Sequence, residues 1–320
     1  MQARLSRVAA ACSSHGRESW TMKLAAYPKA FEQQIAGERS LSLFRWIDMA
    51  GSLDADGLEL YDGFLESFDS AYLDSVGDAL ERAGFAMPMM CSSPNFTVRD
   101  ADGRARAVEA HVEVMRVTRQ LGGPGSVCRV LSGQRYPDVD LSQGVEWVAD
   151  CIQALLPVAE ELDIVLGLEN HYKDGFWEYP EFAQKMDVFL ELLAAIPDHP
   201  HFGVQYDPSN AIVAGDDPLD LLRAVAPRVV SMHASDRWLA EGTTLEELRQ
   251  SDGTLGYSPN LRHGVTGKGM NDYPAIMQIL ADQGFRGWIS IEDGVNGLDE
   301  MQESLLFLRN LCDIYFGDSE

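Results

Sequence analysis

From Met22 onward, short apolar runs alternate with longer stretches whose apolar residues recur every three or four positions. The short runs predict strands at Lys23 to Tyr27, Gly57 to Tyr61, Ala86 to Cys91, Ser126 to Leu131, Ile164 to Glu169, Phe202 to Asp207, Val229 to His233 and Trp288 to Glu292. The stretches between them carry one apolar face at helical spacing, as in Leu73, Val76, Leu80 and Ala83, or Val148, Cys151, Leu155 and Leu162. A last helix repeats the pattern with Leu298, Met301, Leu305, Leu308 and Leu311. Strict strand–helix alternation predicts a parallel sheet wrapped by helices. Eight such units fit a closed barrel better than an open sheet, and no Gly-rich dinucleotide loop follows an early strand. The expectation is a single (β/α)₈ TIM barrel over residues 22–320, undivided by any Pro/Gly/Ser linker. One long irregular connection, from about Ala234 to Met270, holds Gly253, Gly256, Gly264, Gly267 and Gly269 and is a candidate lid. Residues 1–21, with Arg4, Arg7 and Arg17 among small polar residues, are expected to form a disordered extension.

Composition narrows the class. The chain has 320 residues, 46% of them hydrophobic, enough for a substantial core. No run approaches the roughly eighteen uninterrupted apolar residues of a membrane-spanning helix, so no membrane partner is expected. Fifty acidic against 25 basic side chains give a net charge of -25, a field that repels phosphate backbones and argues against a nucleic-acid partner. Cys12, Cys91, Cys128, Cys151 and Cys312 are scattered, odd in number and without CxxC spacing. That usage fits a reducing cytoplasmic setting. Arg7 leaves the stretch from Val8 to Cys12 too short for a secretion signal. A homo-oligomer is compatible with all of this.

The chemistry is concentrated at four predicted strand ends: Glu169 closes IVLGLE, Asp207 closes FGVQYD, His233 closes VVSMH and Glu292 closes WISIE. Active sites of barrels are built at the carboxyl ends of the strands, and neighbouring strands lie only about 5 Å apart, so these four ends can converge on one ion. The residues two places earlier, Gly167, Gln205, Ser231 and Ser290, are small or polar and suit a layer beneath it. Three carboxylates with one imidazole predict one divalent metal ion, with Mn²⁺, Co²⁺ or Mg²⁺ best matched and Zn²⁺ also accommodated.

At these residues the sequence resembles the xylose-isomerase-like TIM-barrel superfamily of sugar isomerases and epimerases, with tagatose epimerase, hydroxypyruvate isomerase and inosose dehydratase among its members. The matching motifs are GLENHY at Gly167 to Tyr172, YDPSN at Tyr206 to Asn210, MHASDR at Met232 to Arg237, GKG at Gly267 to Gly269 and GWISIEDG at Gly287 to Gly294. The resemblance implies a metal held by Glu169, Asp207, His233 and Glu292. It also implies proton transfer beside a carbonyl, with Glu169 and Glu292 working from opposite faces of a small sugar or polyol. The sequence departs from the epimerase pattern at Asn210, where those relatives carry a substrate-binding histidine three places after the metal aspartate. Arg237 stands closer to His233 than their arginine does, and HASDR is nearer the HxKD motif of the dehydratase relatives. The nuclease relatives, such as endonuclease IV, need further histidines, one of them at the place of Asn210, which argues against DNA repair.

Further candidates for substrate contact are His171, Asp236, Arg237 and Lys268, with Asn210 at the epimerase position. Glu59 ends the second predicted strand and is placed at the pocket floor, Trp177 and Trp238 are candidate walls, and His263 is left without a role. The expected function is a metal-dependent isomerase or epimerase of a small keto sugar or related polyhydroxy carbonyl compound. A dehydratase on the same scaffold, acting on an inosose- or dehydroshikimate-like ring, is the alternative. A non-catalytic sugar-binding protein is disfavoured because all four metal-site residues are present.

Overall fold

The computed structural model describes residues 21–175, 177–251 and 260–317. Apart from Thr21, the predicted extension lies outside the described residues, as do Gly253 and Gly256 of the long connection. In chain order the strands are β1 (Leu24–Ala26), β2 (Gly57–Leu58), β3 (Leu60–Tyr61), β4 (Met89–Cys91), β5 (Val127–Val130), β6 (Val165–Glu169), β7 (Phe202–Tyr206), β8 (Val229–Ala234), β9 (Asp236–Leu239), β10 (Leu261–Gly264) and β11 (Trp288–Ile291). The helices are α1 (Leu43–Ala50), α2 (Ser70–Ala83), α3 (Ala101–Gly122), α4 (Leu141–Leu162), α5 (Met186–Ala195), α6 (Pro208–Ala214), α7 (Pro218–Val225), α8 (Leu245–Ser251), α9 (Tyr273–Asp282) and α10 (Leu298–Phe316).

The main sheet runs β2-β1-β11-β8-β7-β6-β5-β4-β3, with every pairing parallel. Its two apparent edges belong to one strand, because only Glu59 separates β2 from β3, and the Glu59 amide still bonds Ala26 O. The sheet therefore closes on itself as the expected (β/α)₈ barrel. Closure removes the exposed edge that an open sheet would have to protect.

Local chemistry explains the helix starts. Ser42, Asp100, Asp140, Asp217 and Asp272 each accept backbone N–H groups from the first turn of the helix they precede. At the far end of α2, Gly84 takes φ 79°, the left-handed cap that a side chain would oppose. The apolar faces predicted from spacing are buried: Met301, Leu305 and Leu308 of α10 have no exposed surface, whereas Leu306 on the outer face is 55% exposed. Burial of each such leucine contributes about 1.5–3 kcal/mol. Among the described residues no helix is long and apolar enough to cross a membrane.

The connection after β8 departs from the sequence reading, which took it as irregular throughout. β9 and β10 form an antiparallel hairpin with Asp236 opposite Gly264, and α8 follows β9. Leu248 and Leu261 pack with Ile212 and Val213 of α6 in a small core of their own. The hairpin strands read DRWL and LRHG, with charged and polar residues in place of an apolar run, so the segment read as loop. Near the chain start, a 3₁₀ turn at Lys29–Phe31 leads into a π turn at Gln33–Gly37 above the open end of the barrel.

Candidate metal centre and substrate cavity

Glu169 is the last residue of β6, Asp207 follows β7 directly, His233 lies in β8 and Glu292 follows β11. Each offers one ligand atom, and these atoms all lie within 4.8 Å of one another. The side chains of Glu169 and His233 are almost wholly buried, while that of Glu292 is 13% exposed and lines a cavity. Beneath them Gln205, Ser231 and Ser290 are buried, and the Ser231 side chain hydrogen-bonds that of Gln205.

Every one of the four has its own support. Glu169 accepts from Arg129 Nη1 at 2.8 Å through Oε2 and from Asn210 Nδ2 at 3.1 Å through Oε1. Asp207 caps α6, accepting the amides of Ser209 and Asn210 at 2.7 and 3.1 Å and the Ser235 hydroxyl at 3.0 Å. Its backbone is pinned by Asn170, which accepts the Asp207 N–H and donates to the Asp207 carbonyl. Glu292 takes an ion pair from Lys29 at 2.9 Å, and the same ammonium reaches Glu32 at 3.2 Å. His233 places Nε2 2.6 Å from Glu59 Oε1, while Nδ1 sits 3.3 Å from Glu169 and 3.4 Å from Glu292. Glu59 also accepts from the Cys91 thiol at 2.8 Å. A carboxylate behind an imidazole fixes the ring and presents its other nitrogen to a metal.

The electrostatics of the cluster follow from burial and from these neighbours. Burial, then Glu292 and Glu169, push Asp207 up to about 7. Burial opposes protonation of His233, yet Glu59, Glu169 and Glu292 together raise its pKa well above the ordinary value. Burial would raise Glu169 too, but Arg129, His171 and His233 hold it down to about 2. Lys29 and His233 likewise outweigh burial and keep Glu292 below the usual carboxylate range. Three carboxylate oxygens and one imidazole nitrogen, with their outer lone pairs already ordered, fit a divalent ion.

A cavity of about 320 Å³ opens beside this cluster. Tyr27, Lys29, Tyr61, Arg129, His171, Tyr172 and Glu292 are among its lining residues. His171 is there as expected, with Nδ1 3.5 Å from Glu181 Oε2; burial lowers its pKa, and Glu169 and Glu181 more than offset that. Asn210 is instead directed to Glu169, so it orients a metal-site carboxylate. Asp236 is spent on backbone, accepting the amides of Arg237, Gly267, Gly269 and Asn271, and this takes its carboxylate away from any substrate. Lys268 lies at the surface and pairs with Glu303. Arg237 is buried, with its Cζ 5.7 Å from the ring centroid of the cavity residue Tyr172. Trp238 is 41% exposed and donates to His263 O, so it does not wall the cavity. His263 stands 3.3 Å from Asp293.

Sequence reasoning missed Lys29 and Arg129 and gave Glu59 only a place on the floor. Arg129 carried a readable signal, a lone cation inside the apolar strand VCRVL at the parity of an inward position. Lys29 carried none, because its role depends on a turn folding back over the strand ends.

A closed parallel barrel with a carboxylate–imidazole cluster at its strand ends is a scaffold that could hold a divalent ion. A sequence profile described as "Xylose isomerase-like TIM barrel" matches residues 47–311. The chain belongs to this family. It is 26% identical over 205 residues to the rhizopine catabolism protein MocC of Rhizobium meliloti, covering 61% of this chain and 58% of that protein. It is 22% identical over 152 residues to an inosose dehydratase of Bacillus thuringiensis (strain Al Hakam), covering 46% of this chain and 47% of the relative. In both, the match spans only about half of the relative's length. The crystal structure of a D-tagatose 3-epimerase-like protein superposes with a TM-score of 0.70 at 15% identity, covering 92% of this chain and 98% of the other.

Proposed function

We propose that this protein is a divalent-metal-dependent isomerase or epimerase of a small keto sugar or related polyhydroxy carbonyl compound. The observation that carries the reading is the convergence of Glu169, Asp207, His233 and Glu292 within 4.8 Å at the strand ends, beside a cavity large enough for a small sugar. A divalent ion held by these four residues would supply Lewis-acid polarisation of a substrate carbonyl. Glu292, which faces the cavity, removes a proton from the neighbouring carbon, and Glu169 returns one from the other face. Lys29 and Arg129 each fix one of these carboxylates, and Glu59 fixes the imidazole of His233 with Nδ1 toward Glu169 and Glu292.

The dehydratase alternative is favoured by one feature, His171. Its raised pKa and its place in the cavity suit a group that protonates a departing hydroxyl, and inosose dehydratases are among the relatives. The two readings separate in one experiment. Protein loaded with Mn²⁺, Co²⁺, Mg²⁺ or Zn²⁺ is incubated in D₂O with a panel of keto sugars and cyclic keto polyols and followed by NMR. Deuterium entering beside the carbonyl with isomer formation supports the first reading, and loss of water supports the second. No metal-dependent change in any compound sinks both.

A further inference from the structure

A guanidinium taken out of water ordinarily brings a counter-charge with it, because an unpaired buried cation is costly. Arg129 obeys this, with Glu169, the Ser92 carbonyl and Ser93 around it. Arg237 does not. It is 5% exposed, its Nε has no hydrogen-bond partner, and among the described residues no carboxylate comes within ion-pair distance. The acids nearby are otherwise engaged. Asp236 holds four backbone amides, and Asp293 accepts from the Asp236 N–H and the Thr266 hydroxyl and faces His263. What Arg237 does touch is the face of Tyr172, a wall of the cavity. Burial first, then Arg237 and Lys29, lower the pKa of His263 to about 3, with Glu292 acting the other way.

We propose that Arg237 binds an oxyanion carried by the substrate, a carboxylate or a phosphate, so that the substrate is an anionic polyhydroxy carbonyl compound and not a neutral sugar. The inference rests on the proposed reading of the adjoining metal centre. Arg237 is the second residue of β9, four places after His233, so the charged end of a bound molecule lies on the Tyr172 side while its carbonyl lies at the carboxylate cluster. The planar fork of a guanidinium matches the paired oxygens of such a group.

The test titrates Mn²⁺-loaded wild type and Arg237→Gln calorimetrically with D-fructose, 2-keto-D-gluconate and D-fructose 6-phosphate at one ionic strength. The expected result is that one or both anions bind wild type at least about tenfold more tightly than fructose, and that Arg237→Gln brings all three within about threefold. Preference for the keto acid identifies a carboxylate, and preference for the sugar phosphate identifies a phosphate. Absence of any anion preference in wild type, or its survival in Arg237→Gln, overturns the proposal. A ligand-free measurement checks the premise. Arg237→Met is expected to melt no lower than wild type, since it removes an unpaired buried charge, and a fall of several degrees would reveal a structural ion pair and overturn the proposal as well. The D₂O exchange experiment reads the metal-assisted reaction separately. Exchange without anion preference refutes only the role of Arg237, and anion preference without exchange refutes only the reaction.

Discussion

Glu59 has no direct place in the four-residue cluster, yet His233 depends on it. The 2.6 Å contact from Nε2 settles which ring nitrogen is turned toward Glu169 and Glu292. Glu59→Gln keeps the size of the side chain and removes its charge, so Mn²⁺ affinity measured by calorimetry is expected to fall about 10- to 100-fold. An unchanged Kd would mean that Glu59 merely fills space. The two glutamates of the cluster are expected to behave differently from its aspartate. Under the proposed function, Glu169→Gln and Glu292→Gln should each lower turnover about 10²-fold or more even at saturating metal, because each would remove a proton carrier as well as a ligand. Asp207→Asn should act mainly through affinity and recover most activity when metal is added in excess. Full recovery of both glutamine variants would make the glutamates ligands alone.

At the scale of elements, the barrel is seamed where its first strand meets its last helix. Asp56 accepts the Leu24 N–H at the start of β1, Arg309 of α10 and Lys23, each at 3.0 Å. Burial opposes these bonds, but their sum lowers the pKa of Asp56 below 3.8. A carboxylate depressed in the folded state stabilises it at pH above the unfolded value, and that stability is lost as pH falls through the folded one. Asp56→Asn is therefore expected to cost about 1–2 kcal/mol in urea unfolding at pH 7, discounted for partial exposure, and progressively less as pH falls below 4. An equal loss at both ends of that range would assign the effect to packing. Elements were also the scale at which the sequence was most legible. All eight barrel strands fall where alternation of apolar runs put them, and the four candidate ligands fall at or just past their ends, because runs of apolar residues are readable locally. The β9–β10 hairpin and Lys29 were illegible for the opposite reason. The hairpin strands lack an apolar run, and Lys29 acts on Glu292 across nearly the whole chain.

For the whole molecule, a net charge of -25 and a knot of buried carboxylates both oppose the compact state. A divalent ion bound at the knot should stabilise the fold by about 2.7 kcal/mol at a hundred times its Kd, seen as a rise in Tm that a chelator reverses. The rise should be much smaller in Asp207→Asn, and an equal rise there would place the ion elsewhere. The molecule is also unevenly held around its open end. Asp236, the first residue of β9, ties down the amides of Gly267, Gly269 and Asn271, so the backbone there has little freedom to part. Across the cavity the rim is the π turn Gln33–Gly37, whose backbone ladder is the wider and weaker kind. Amide hydrogen exchange should accordingly be fast at residues 33–37 and slow at 267–271. Molecules entering and leaving would then pass on the π-turn side, and the residence time of a product would be set by that turn's opening rate, far from the groups that do the chemistry.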